Sequence, residues 1–157
     1  ICVIPGIVFF QRYFISDIRV QASEWINQNI SKQSKILSES GNVVNLPVGQ
    51  NNLEVNNFDF YQLDENKDYQ NQLLLLIKNN DYIFVPSRRV FKNQSTSQFS
   101  VSQQYYQDLF SGQLNFSLLK LFSFKNSFLL DPENAEETWS VFDNPTIRIF
   151  KKIIYEK

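Results

Sequence analysis

The chain predicts an α/β fold, a mostly parallel sheet with flanking helices, Rossmann-like and closed by a C-terminal antiparallel hairpin. Three observations carry this expectation. Apolar residues recur at helical spacing in three separated segments, short β-branched or aromatic runs lie between them, and turn-forming residues mark most boundaries. Such alternation points to parallel strands joined by helical crossovers. The 157 residues suit a single domain, 1–157, and a chain of this size buries roughly 70% of its unfolded surface. Hydrophobic residues at 43% and aromatics at 15% suffice for one core and exclude disorder by composition.

The ten-residue opening ICVIPGIVFF is half as long as a membrane-spanning helix and is interrupted at Pro5-Gly6. It also lacks the charged start and cleavage site of a signal peptide. It reads as a core strand, and with no Met in the chain it raises the expectation of a fragment that follows transmembrane helices. Ser16-Asp17 offers an N-cap, and Ile18, Ala22, Trp25, Ile26 and Ile30 then recur as one helical face over 18–29. After the polar turn SKQS, KILSE at 35–39 is a short strand. Residues 41–57 are turn-rich and read as irregular, because Pro47 and Gly49 oppose pairing. FDFYQL at 58–63 has strand-like aromatic content, and Asp64 is placed to cap a helix whose face is Tyr69, Leu73, Leu76 and Ile77.

Residues 82–86 form a dense apolar strand stopped by Pro86, and 92–100 reads as a loop. Val101, Tyr105, Leu109 and Phe110 mark another helix, with Gly112 suited to end it in the left-handed conformation. FSLLKLFSF at 116–124 is so continuously apolar that burial on both faces is expected. Asp131 before Pro132 matches a helix start, with Glu133, Glu136 and Glu137 near its positive end. TWSVF and TIRIFKKII then read as the two strands of the closing hairpin around Asp143-Asn144-Pro145.

Composition excludes several chemistries. With 15 Lys+Arg against 16 Asp+Glu the net charge is -1, and no basic excess marks a nucleic-acid face; Arg88-Arg89 and Lys151-Lys152 read as solvated edges. Cys2 stands alone, so no internal disulfide or cysteine zinc cluster is available. With His 0, Ser-His-Asp and Cys-His nucleophile systems are ruled out. The 4 Gly form neither GxGxxG nor a P-loop, and no cofactor is expected. The acidic set Asp131, Glu133, Glu136 and Glu137 lacks EF-hand spacing, so capping is preferred to a metal. The three Asn-x-Ser matches are what an asparagine-rich chain yields by chance.

Ligands of open α/β sheets gather outside the carboxyl ends of strands. Glu39, Ser87 and Arg88 follow strands at that end and, with Asp131, Glu136 and Glu137, form the candidate ligand-binding set; a structural salt bridge is the plainer role for Glu39. No catalytic residue and no metal ligand is assigned. A free-standing glycan- or peptide-binding module would use Trp25, Tyr61 and Trp139 as stacking groups. A small carboxylate-dependent hydrolase would need a facing pair among Glu39, Asp131, Glu136 and Glu137.

Several segments, in order, resemble one family. RYFISDIRVQASEWINQNI (12–30) is similar to an R-x-x-A-S-x-W-I-x-x-N signature, followed by KILSES and NLP (45–47). FYQLDENKDYQNQLLLLIKNNDYIFVPSRRVF (60–91) resembles a D-Y-I-x-x-S-x-R-x-Y segment. YYQDLFSGQLNFSLLKLF (105–122) resembles Y-Y-x-x-L-F-x-G-x-L-G-F, and DPENAEETWSVFDNPTIRIF (131–150) resembles D-x-x-A-E-E-T-x-x-V-Y-D-H-P-x-V-x-I-F. Together they cover most of the chain and look like the C-terminal soluble region of multi-pass membrane glycosyltransferases of the protein-mannosyltransferase-like type. Phe142 and Asn144 replace the family's Tyr and His, and Asn115 replaces its Gly, so no family histidine acts here.

The resemblance implies a parent enzyme that transfers sugar from a polyprenyl-phosphate donor, using an acidic residue in its membrane portion. This region would then be a non-catalytic accessory domain on the extracytoplasmic face. Its partners would be the membrane portion of the same polypeptide and, through it, a glycan or peptide acceptor; nucleic acid is not expected.

Overall fold

The computed structural model describes residues 10, 14, 16–40, 46, 52–124 and 133–154. Their elements, in order, are α1 (Ile18–Asn29), β1 (Lys35–Glu39), β2 (Glu54–Phe58), a 3-10 turn (Phe60–Gln62), α2 (Lys67–Asn79), β3 (Tyr82–Val85) and the short helix α3 (Arg89–Asn93). A second 3-10 turn (Ser97–Phe99), α4 (Ser100–Ser111), β4 (Phe116–Phe122), a π-helix (Thr138–Asp143) and β5 (Ile147–Lys152) complete them. The fold is α/β, with an open five-stranded mixed sheet in the order β2-β1-β3-β5-β4. β1 pairs in parallel with both β2 and β3, whereas β5 runs antiparallel to both β3 and β4.

Local chemistry explains most helix ends. Asp17 caps α1 by accepting the Arg19 N–H (2.8 Å), and Ile18, Ala22 and Ile26, four residues apart, turn inward. The cap of α2 is Asn66 rather than Asp64: its side chain accepts from Asp68 and Tyr69 N–H groups. Asp64 instead caps a different helix, taking the N–H groups of Val101 and Ser102 at the start of α4 (2.7 and 3.1 Å). A carboxylate suits any free first-turn N–H, and the chain brings α4 to it. Gly112 ends α4 with φ 82, as its spacing suggests. Asn115, in the same turn, has φ 60. Asn tolerates this conformation better than most side chains.

Strand side chains alternate between two cores. On one face Ile36, Tyr82, Phe84, Ile147 and Ile149 meet α1 through Ile18, Ala22 and Ile26. On the other, Leu37, Phe58, Ile83, Val85, Phe116 and Phe150 meet Leu73 of α2 and Tyr105, Tyr106 and Leu109 of α4. The result is a helix-sheet-helix sandwich.

Several expectations are corrected. TWSVF is not a strand but most of the π-helix, and β5 pairs with β3 and β4, so there is no closing hairpin. The strand expected at 58–63 lies earlier, at 54–58, inside the segment read as irregular; Phe60–Gln62 is a 3-10 turn. The stretch read as a loop at 92–100 is largely helical turns. β4, expected to be buried on both faces, is an edge strand with Leu118, Leu119 and Leu121 exposed. The proposed opening strand and the helix start at Asp131-Pro132 lie outside the described residues, apart from exposed Phe10. Among the described residues, no helix is long and apolar enough to cross a membrane.

Candidate functional site

Two clusters occupy the carboxyl ends of β1 and β3. The first centres on Glu39, the last residue of β1, level with Phe58 of β2. It follows Leu37 by two positions and so faces α2 and α4, 2% exposed. The Tyr106 hydroxyl of α4 donates to its Oε1 at 2.6 Å, while Oε2 has no hydrogen-bond partner among the described residues. Burial pushes its pKa up to about 8; the Tyr106 hydrogen bond and the positive charge of Arg148 pull the other way and do not prevail. The carboxyl is therefore mostly neutral at pH 7. Burial, with Glu39 beside them, holds the Tyr105 and Tyr106 hydroxyls well above their ordinary range, so both remain protonated.

The second cluster joins the end of β3 to the segment before β5. Ser87 is fully buried, and its hydroxyl accepts the Arg89 N–H (3.2 Å) as α3 begins. Arg88 donates through Nε to the Ser140 hydroxyl (2.6 Å) and through Nη2 to the Ala135 carbonyl (2.7 Å). Arg89 pairs with Glu137 (3.3 Å) and lies 5.3 Å from the Phe142 ring centroid. Glu136 accepts from the Thr138 hydroxyl (3.0 Å) and the Trp139 N–H (3.2 Å). Hydrogen bonding, first from the Thr138 backbone N–H, holds its exposed carboxyl below the ordinary range. Arg148, opposite Val85 on β5, bonds Glu133 (2.9 Å) and covers the rings of Phe91 and Phe110.

Of the six candidate ligand residues, the fold thus places Ser87, Arg88, Glu136 and Glu137 around one segment, and Glu39 under α4. Asp131 lies outside the described residues. Glu39, Glu136 and Glu137 have separate partners: Tyr106, the start of the π-helix, and Arg89. Among the described residues no three His, Cys, Asp or Glu gather as a metal site. Trp139 is buried edge-on to Phe124 (5.9 Å), and Trp25 is half-buried against Phe122 (6.0 Å). Asn144 is buried, and its Nδ2 has no hydrogen-bond partner among the described residues.

Sequence reading missed Tyr106, Ser140 and Arg148. The Tyr106 and Ser140 bonds span 67 and 52 residues, and no local pattern announces them. The π-helix at the centre of the second cluster is a rare form that recurs at functional sites.

A separate groove of about 480 Å³ runs between α2 and α4, walled by Leu63, Leu73, Leu74, Ile77, Val101 and Leu114. None of the candidate ligand residues is among its described walls. Comparisons with protein-family models, with curated proteins and with solved structures find no match to this chain.

Proposed function

We propose that this chain is a non-catalytic accessory domain of an integral-membrane glycosyltransferase that uses a polyprenyl-phosphate-linked sugar. It sits on the extracytoplasmic face, beside the membrane portion of the same polypeptide, and helps seat a glycan or peptide acceptor or orders the active-site loops. The observation that carries the reading is the convergence of the segments that resemble the family. Arg88 and Arg89, from the D-Y-I segment, hold Ala135, Ser140 and Glu137 of the A-E-E-T segment. Tyr106, from the Y-Y-x-x-L-F segment, closes on Glu39 of KILSES.

The chemistry of the chain agrees. It has no histidine, and Glu39, Glu137 and Arg88 are engaged within the fold, so the reading assigns sugar transfer to the membrane portion. The order β2-β1-β3, with α2 between β2 and β3, also fits half of a doubly wound sheet; the Rossmann-like description belongs to this same proposal.

The gene provides the first test. The coding sequence upstream of Ile1 should encode a run of hydrophobic helices in frame, and its absence sinks the reading. In the full-length parent, deleting residues 16–154 should leave the membrane portion at normal abundance but lower transfer to the acceptor. Sugar transfer by the purified 157-residue chain alone, or undiminished transfer by the deletion variant, would overturn it.

A further inference from the structure

Glu39 and Arg148 belong to one lateral row of the sheet. Glu39 is level with Phe58 of β2, and the β1–β3 register, with Ser38 opposite Phe84, sets it level with Val85. Val85 in turn pairs with Arg148 of β5. All four side chains lie on the face that α4 covers: Phe58 and Val85 belong to that core, Glu39 meets Tyr106, and Arg148 lies against Phe91 and Phe110. Two strand spacings put the Glu39 and Arg148 backbones about 10 Å apart, a gap that two long side chains span over the short Val85.

The Arg148 guanidinium is therefore within the field of two carboxyl groups. Its Nη2 bonds Glu133 (2.9 Å) and its Nη1 the Thr146 carbonyl (3.4 Å), while its positive charge also acts on Glu39. Glu39 Oε1 accepts from Tyr106, and Oε2 has no hydrogen-bond partner among the described residues. Among those residues, the other groups facing Glu39 are Tyr105 and Tyr106 of α4, with Tyr61 of the first 3-10 turn acting on Tyr106. Its strand neighbours Phe58 and Val85, and Leu73 of α2, bring no charge. Beyond β3, Arg88 is held by Ser140 and Ala135 and Arg89 by Glu137. Arg148 is thus the cation placed to answer a charge on Glu39.

A buried carboxylate with an unsatisfied oxygen is costly, and a guanidinium satisfies it well. We infer that Glu39 and Glu133 compete for Arg148, and that a proton on Glu39 decides which of them holds it. While Glu39 is neutral, Arg148 secures Glu133. When Glu39 ionises, the guanidinium turns toward its Oε2 and Glu133 is released. Glu133 leads into the segment of Ala135, Glu137, Ser140 and the π-helix, which Arg88 and Arg89 also hold. Loss of a proton from a sealed residue of β1 thereby loosens the start of that segment. Burial of Glu39 sets the change at about pH 8. The device goes beyond the accessory-domain reading and does not depend on it.

Carbon-13 NMR of the glutamate carboxyls in the 157-residue chain tests the inference, with the Glu39 resonance assigned by its loss in Glu39→Gln. Glu133→Gln should lower the Glu39 midpoint by about half a pH unit or more, because Arg148 then has one carboxylate to serve. Arg148→Gln should raise it, and in that background Glu133→Gln should leave it unchanged. Hydrogen exchange across residues 133–143 should agree between wild type and Glu39→Gln at about pH 6, and be about fivefold faster in wild type at about pH 9. An equal shift from Glu133→Gln in both backgrounds overturns the inference, since it reports a direct field between the carboxylates. So does a midpoint that Glu133→Gln does not lower, or exchange at high pH that fails to separate wild type from Glu39→Gln. If Arg148→Gln does not fold, Glu133→Gln alone and the exchange comparison decide.

Discussion

The end of β1 and the edge at β4 are opposites. At the end of β1 an acidic side chain, of a kind that ordinarily seeks water, is sealed beneath two tyrosines. At β4 three leucines face solvent. Composition assigns each residue the other place. Position in the sheet decides instead: β1 lies between two parallel neighbours, whereas β4 has one strand neighbour among the described residues.

The largest expected effect comes from Glu39. Its folded pKa of about 8 lies above the unfolded value near 4.5. Below pH 4.5 the carboxyl is protonated in both states, and the fold keeps its full stability. As pH rises, the unfolded chain ionises first, and the fold loses about 1.4 kcal/mol per pH unit until pH reaches about 8. Glu39→Gln removes this loss. Its melting temperature, measured from pH 4 to pH 9, should match the wild type at the acid end and exceed it increasingly toward pH 8. Parallel curves would mean that the carboxyl is already ionised or already solvated in the native state.

Arg88→Ala should cost about 2–3 kcal/mol, because it leaves the buried Ser140 hydroxyl and the Ala135 carbonyl without their charged donor. Arg88→Lys should recover only part, since one ammonium does not reproduce the two-pronged geometry. Urea titration of both variants checks this, and a loss below about 0.5 kcal/mol would mean the clamp is loose. The smallest effect is expected at β4, where Leu121→Ala should change stability by less than about 0.5 kcal/mol. A loss of 2 kcal/mol or more there would contradict its exposed position and erase the contrast.

How far each region was legible follows from how local its causes are. Asp17, the inward row Ile18, Ala22 and Ile26, and Gly112 act within one or two turns of their own helices, and the sequence predicts them directly. Asp64 shows where local reading stops: it is a capping residue as expected, but for α4, some 37 residues away. Arg88 stood out as a candidate at a strand end, yet Ser140 and Ala135 gave no sign of being its acceptors. The five-residue stretch TWSVF has strand propensity, and the Glu136 hydrogen bond from the Trp139 N–H with the Arg88 and Arg89 contacts accompanies a π-helix there. Propensity is a weak preference that tertiary contacts override.

By itself the sequence determined that helices and strands alternate, where α1 begins and ends and where α4 ends, that this chain has no histidine and no cysteine cluster, and that it has enough apolar residues to fill a core. Only the tertiary structure decided the strand order, the antiparallel insertion of β5 between β3 and β4, the partner of Glu39, and the exposure of β4. The physical reason is range. Periodicity and capping act between residues a few positions apart, whereas lateral strand order and burial depend on contacts between distant segments, and those energies belong to the assembled sheet.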